Sequence, residues 1–321
     1  MYGTKIHESS SGCRYLFTEV GKFCASIMGT RMDINKYLSR LGYKGSCKLA
    51  NKETLFEIMH HHVMAIPFEN LSVHCGEPIS LDIESTFQKL VMKQRGGWCS
   101  EQNHLLFWAL RTIGYDVVML AAYVYQPHLD EYNPIATHLL LKVTIDSKTY
   151  IADTGYGSSL QIWQPLELTS GVDQLQTPGI FRLTESKGMW FLDKIRRKQV
   201  VSDGSFSETE LLDKLSYRKI HYFTLQERTI DYFLESCKFH QTSPKSAFFN
   251  KSVCSLQFSH GVRTLVGWTY TETKYNYRKG VDLVELKTLQ NDEVEKVLKE
   301  KFGIVLESQL VVVNNSGSYT I

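Results

Sequence analysis

The sequence predicts a mixed α+β fold, and three observations predict it. Apolar residues recur mainly at helical spacing as far as about Gly114, strand patterns dominate from Val117 to about Phe223, and the two kinds of segment mix after Thr229. With 321 residues, 43% of them hydrophobic, the chain can bury a large core divided among two or three subdomains. Internal repeats, Pro-rich linkers and low-complexity stretches are absent from the sequence.

Residues 1–31 read as a poorly ordered N-terminal extension. Tyr15 to Met28 is mildly apolar but carries Glu19 and Lys22, which argues against a secretory signal. The polar run Asn51-Lys52-Glu53-Thr54 opens a helix that reaches about Met64. His60, His61 and His62 lie on that helix and point in different directions, so they cannot converge on one ion. No cysteine pair stands at zinc spacing either, and no metal site is expected. Leu105, Leu106, Ala109, Leu110 and Ile113 share one side of a second helix that stops at Gly114. Val117 to Tyr125, Thr137 to Val143, Thr149 to Asp153 and Gly188 to Leu192 read as strands.

A net charge of +2, from 36 basic and 34 acidic residues, gives no reason to expect a nucleic-acid partner. The densest basic cluster, Lys194, Arg196, Arg197 and Lys198, follows Asp193 and reads as a solvated loop. No apolar run approaches the roughly 18 residues of a spanning helix, so no membrane association is expected. The seven cysteines, at 13, 24, 47, 75, 99, 237 and 254, are odd in number and unclustered. That usage fits a reducing compartment and a cytoplasmic location.

Chemistry enters at Arg95-Gly96-Gly97-Trp98-Cys99. Here a glycine loop runs into the second helix and puts Cys99 at the helix N-terminus, where unpaired N–H groups and the macrodipole favour a thiolate. Gly96 and Gly97 permit unusual backbone angles and close approach, which would let a bulky ligand reach the sulfur. Two strands complete the arrangement. If Asp146-Ser147 is a two-residue turn, Ile145 faces Lys148 and Asp153 lies opposite Leu140, diagonal to His138 on the same face. A three-residue turn would send Asp153 to the other face. A cysteine at a helix start with a histidine held by a carboxylate is the cysteine form of the nucleophilic triad, suited to acyl transfer. A cysteine hydrolase or transglutaminase, or an inactive binding protein on the same scaffold, are the alternatives.

The chain resembles the arylamine N-acetyltransferases, closely a vertebrate-type member. The similarity runs from Met32 to Ile321 and is carried by Pro67-Phe68-Glu69-Asn70-Leu71, Arg95-Gly96-Gly97-Trp98-Cys99, Asn103-His104-Leu105-Leu106, His138-Leu139-Leu140-Leu141 and Asp153-Thr154-Gly155-Tyr156-Gly157. The resemblance implies a papain/transglutaminase-like cysteine-triad fold. Its parts would be a helical domain at 32–114 with Cys99, a β-barrel domain at 115–223 with His138 and Asp153, and an interdomain helical region with an α/β lid at 224–321.

The implied reaction is ping-pong acetyl transfer from acetyl-coenzyme A, through a Cys99 thioester, to arylamines, hydrazines or N-hydroxyarylamines. His138 would carry the proton and Asp153 would fix and charge the imidazole. Phe68, Val124, Tyr156, Ser158 and Leu160 match acceptor-pocket positions, and Thr242, Ser243 and Thr320 match coenzyme A positions. Acetyl-coenzyme A would serve as co-substrate to a monomer without a tightly bound cofactor. Glu69 and Arg95 match an ion pair of the family. Some relatives have an arginine at the position of Ser158, so a carboxylate on the acceptor ring should gain nothing here.

Overall fold

The computed structural model describes residues 32–47, 49–202, 209–212 and 217–315; Thr320 and the 1–31 extension lie outside them. The predicted helix after Asn51 is α1 (Lys52–Ala65), and its cap is the expected one: Asn51 Oδ1 accepts from Thr54 N at 2.9 Å. α2 (Cys99–Ile113) begins at the predicted cysteine and ends where Gly114 takes φ +108°. Its buried residues include Leu105, Leu106, Ala109 and Leu110, the stripe read from the sequence.

A nine-stranded sheet carries the centre of the molecule. Its five middle strands are β1 (Asp116–Gln126), β2 (His138–Ile145), β3 (Lys148–Ala152), β4 (Met189–Ile195) and β5 (Tyr217–Arg228), in the spatial order β3-β2-β1-β5-β4. A seven-stranded sheet follows, with a one-sided helix, Asn291–Phe302, whose Val294, Leu298 and Phe302 pack with Cys254, Leu265 and Leu289. Phe68–Glu69 joins this second sheet by pairing with Val253–Phe258, so the segment before α2 is tied to the C-terminal third. Lys198–Ser202 also joins it, running parallel to Val281–Thr288. The fold is α+β, as the periodicities imply.

The hairpin that fixes the site has the two-residue turn. Ile145 pairs with Lys148 and Leu141 with Ala152. Asp146 and Ser147 take φ of +45° and +64°, the positive values such a tight turn needs.

Two readings require correction. The basic cluster is not a solvated loop. Lys194 lies on β4, is 3% exposed, donates from Nζ to Ser159 O at 2.5 Å and sits over the rings of Phe181 and Tyr275. Arg197 pairs with Asp282 at 2.5 Å. Charge density suggested solvent, but the β4 pairing turns Lys194 inward and its long stem is covered by aromatic rings. The glycines before Cys99 also serve a different purpose. A Cβ at Gly96 would lie 2.1 Å from Pro67 O, so its close approach is to the protein's own backbone and not to a ligand.

Candidate active site

Cys99 is the first residue of α2 and is buried, with Sγ 3.6 Å from the carbonyl oxygen of Thr137. The entry to α2 is held from two sides. Glu101 Oε2 accepts from Trp98 N at 3.1 Å while its Oε1 meets Lys89 Nζ at 2.8 Å; burial pushes this carboxyl up, and Lys89 opposes the push. Glu69, fully buried, accepts from Arg95 Nε at 3.0 Å, Gly96 N at 3.2 Å and Leu71 N at 2.7 Å. Burial works against the Glu69 carboxylate, but Lys89, Arg95 and the backbone donor outweigh it and hold the group ionised. His62, from the triplet on α1, is structural: it bonds Tyr37 OH and Gln102 Oε1, and Gln102 Nε2 donates to Pro67 O and Gly97 O.

His138 opens β2, and Asp153 follows β3 directly, so the hairpin register brings them together. His138 Nε2 donates to Asp153 Oδ2 at 2.6 Å, and both are buried. Burial alone would lower the His138 pKa. The charge and hydrogen bond of Asp153, with a further hydrogen bond and charge from Cys99, reverse that and raise it to about 10. Because Nε2 is taken by Asp153, Nδ1 is the nitrogen that meets Cys99. Asp153 is held below the usual carboxylate range by His138 against its own burial.

Sequence reasoning missed the residues that hold Asp153 still. Asn103, one turn into α2, donates from Nδ2 to Asp153 Oδ1 at 2.8 Å and to Leu139 O at 2.7 Å, and accepts from Thr154 N at 2.8 Å. Gly155 N adds a bond to Asp153 Oδ1 at 2.9 Å. A Cβ at Gly155 would lie 2.5 Å from Cys99 Cα, so this position admits only glycine without displacing the cysteine. His221 on β5 was also missed. Its ring lies 5.4 Å from His138, neither ring nitrogen has a partner among the described residues, and burial with the His138 charge lowers its pKa to about 3. It is therefore a neutral ring beside the His138–Asp153 pair. The alternating pattern of β5 gave no signal distinguishing it from a core residue.

A cavity of about 370 Å³ opens over Cys99 and His138, and all five expected acceptor residues, Phe68, Val124, Tyr156, Ser158 and Leu160, line it. Phe239, His240, Ser246 and Phe248 line it as well. Phe248 stands 5.9 Å from both Phe68 and Trp98, ring to ring. Thr242 and Ser243 do not line the cavity, although residues on both sides of them do; Thr242 Oγ1 is spent on Lys238 O.

Comparison with known proteins decides the family. A family model described as N-acetyltransferase matches residues 51–311. Arylamine N-acetyltransferase, pineal gland isozyme NAT-10, of Gallus gallus is 53% identical over 290 residues, covering 90% of this chain and 100% of that one. The chain belongs to the arylamine N-acetyltransferase family. Arylamine N-acetyltransferase 1 of Homo sapiens is 49% identical over the same shares of both chains. Among solved structures, the arylamine N-acetyltransferase from Salmonella typhimurium superposes with a TM-score of 0.72 at 26% identity, over 89% of this chain and 94% of that one. The Mycobacterium marinum enzyme in complex with CoA gives the same score and identity over 85% and 93%. As a member of this family the chain is an acyltransferase. No helix among the described residues is long and apolar enough to cross a membrane.

Proposed function

We propose that the chain moves an acetyl group from acetyl-coenzyme A to arylamines, hydrazines and N-hydroxyarylamines in two half-reactions through Cys99. In the first, the Cys99 thiolate attacks the acetyl carbonyl and coenzyme A leaves as a thiol with the proton from His138 Nδ1. In the second, the acceptor nitrogen attacks the Cys99 thioester, His138 takes the amine proton, and the thiolate returns. The reading is carried by the 2.6 Å bond between His138 Nε2 and Asp153, which leaves Nδ1 to the sulfur at the base of the cavity. Asp153 orients and charges the imidazole and does not itself take the proton.

In this reading Phe68, Val124, Tyr156, Ser158 and Leu160 surround the acceptor. Coenzyme A lies toward the segment of Thr242 and Ser243, supported by the cavity residues flanking them, with Thr320 as a further contact. The protein is read as a cytoplasmic monomer of xenobiotic metabolism, with acetyl-coenzyme A as a co-substrate and no tightly bound cofactor. We also propose the division into regions 32–114, 115–223 and 224–321 after the 1–31 extension. Initial rates with both substrates varied test the mechanism: parallel double-reciprocal lines are expected, and lines converging left of the axis contradict it.

A further inference from the structure

We propose that His138, Asp153 and His221 form a binding site for a divalent metal of the zinc class, which shuts the enzyme by taking the pair that activates Cys99. One donor atom from each of the three residues lies within 4.8 Å of the other two, and all three side chains are buried. Metal binding rests on this geometry alone. The loss of turnover that follows from it rests on the acetyltransferase reading.

Strand register builds the site. β2 pairs with β1 so that His138 stands beside Ala122, and β5 pairs with β1 so that His221 stands beside Val124. Ala122 and Val124 are two positions apart and share a face of β1, so the two histidines flank that strand on one side of the sheet. Ala122 has only a methyl group, and the imidazole rings approach to 5.4 Å, tilted by 30°. Asp153 is already bonded to His138. The three donors come from separate segments of the chain, which is why the sequence shows no ligand spacing.

Two observations point to a metal. His221 is 1% exposed, yet neither ring nitrogen has a hydrogen-bond partner among the described residues. A buried imidazole without partners is exceptional and calls for one. Asp153, in turn, is oriented as a ligating carboxylate is: Asn103 Nδ2 and Gly155 N both bond to Oδ1, at 2.8 and 2.9 Å, and Oδ2 faces His138 Nε2. Two imidazole nitrogens and one carboxylate oxygen make a three-ligand zinc site with a fourth position open. Calcium and magnesium, which prefer oxygen ligands, suit this set poorly.

Zinc takes each donor at about 2 Å, which sets tetrahedral ligand atoms roughly 3.3 Å apart. The 2.6 Å contact between His138 Nε2 and Asp153 Oδ2 therefore widens, and His221 closes in. Nε2 gives the proton that it donates to Asp153 to solvent, and its lone pair passes to the metal. The cavity over Cys99 and His138 is the way in. Cys99 is not a ligand, which separates this site from attack of a thiophilic metal on the sulfur.

Calorimetric titration of Cys99→Ala protein with zinc chloride tests the proposal. One tight site per chain is expected, weakened by about 100-fold when His221→Phe or Asp153→Asn is added. No tight site in Cys99→Ala, or a site indifferent to His221→Phe, overturns the proposal. Cobalt(II) absorption needs no His221 variant: Cys99→Ala and wild-type protein should give the same visible bands of a four- or five-coordinate ion. A sulfur-to-cobalt charge-transfer band in the wild type assigns the metal to Cys99 and overturns the proposal, as do the weak bands of a six-coordinate ion. In the wild type, zinc that fills the site should stop Cys99 acetylation and EDTA should restore it; an undiminished rate with the site filled overturns the inhibitory role. Failure to acetylate Cys99 in zinc-free protein, with the tight site intact, would instead sink the acetyltransferase reading.

Discussion

Arg95→Ala should unfold the protein before it disables the chemistry. The substitution strips the fully buried Glu69 of two donors, Arg95 Nε at 3.0 Å and Nη2 at 3.3 Å, and frees Ser72 Oγ at 3.3 Å. Only the backbone donors of Leu71 and Gly96 stay on the carboxylate, with the Lys89 charge nearby. Breaking one side of such a buried pair costs about 3–5 kcal/mol. Set against a typical total of roughly 5–15 kcal/mol, that is a large share of the fold's stability.

Urea unfolding followed by circular dichroism is the assay, and the midpoint should fall without a change in slope. The pH dependence gives a second readout. In the native protein the Glu69 pKa is lowered, so its contribution is present above the unfolded-state pKa and is lost as pH falls through the folded one. Burial is already the largest single influence on this carboxyl; without Arg95 less opposes it, its pKa should rise, and the variant should lose less stability on mild acidification than the wild type. Adding Glu69→Gln should recover part of the loss, since the uncompensated charge disappears. An unchanged midpoint in Arg95→Ala, or no recovery in the double variant, refutes the reasoning.

Further outcomes follow from the same geometry. Asp153→Asn should keep the fold, lower the His138 pKa toward its ordinary value and slow Cys99 acetylation by about 10³–10⁴-fold in stopped-flow measurements; wild-type rates would contradict the role given to the carboxylate. Gly155→Ala places a Cβ 2.5 Å from Cys99 Cα, so iodoacetamide labelling of Cys99 should slow or soluble protein should fall, and a variant unchanged in both respects counts against the packing. Since the His138 pKa is raised to about 10, its share of stability is complete below the unfolded value near 6.5 and is lost as pH rises to about 10. Wild-type stability should decline over that alkaline window more than that of His138→Gln, as read by thermal melts. Asn103→Leu removes one side-chain bond from Asp153 Oδ1 and should reduce kcat with little effect on the KM for acetyl-coenzyme A; the opposite split would assign Asn103 to substrate binding.

What the sequence made legible was local. The start of α2 at Cys99 and its stop at Gly114 follow from short-range signals, and the Asp146-Ser147 turn alone sets which face Asp153 occupies. The diagonal relation of His138 to Asp153 therefore follows from the length of one turn. What escaped were side chains whose importance comes from partners far along the chain. Asn103 reaches Leu139 and Asp153, while His221 enters the site because β5 pairs with β1 and β4. Lys194 shows the same limit from the other direction: four nearby basic residues look solvated, yet strand pairing buries one of them beneath two aromatic rings. Phe248, brought against Phe68 by the C-terminal third, likewise had no local signature.

The central claim, an acetyl group carried on Cys99, is tested most directly by peptide mass spectrometry of the protein after incubation with acetyl-coenzyme A alone. The account predicts a single acetyl group on the peptide containing Cys99, removed when an arylamine is added and absent in Cys99→Ala. An acetyl group on another residue, or none while arylamine acetylation proceeds, would contradict it.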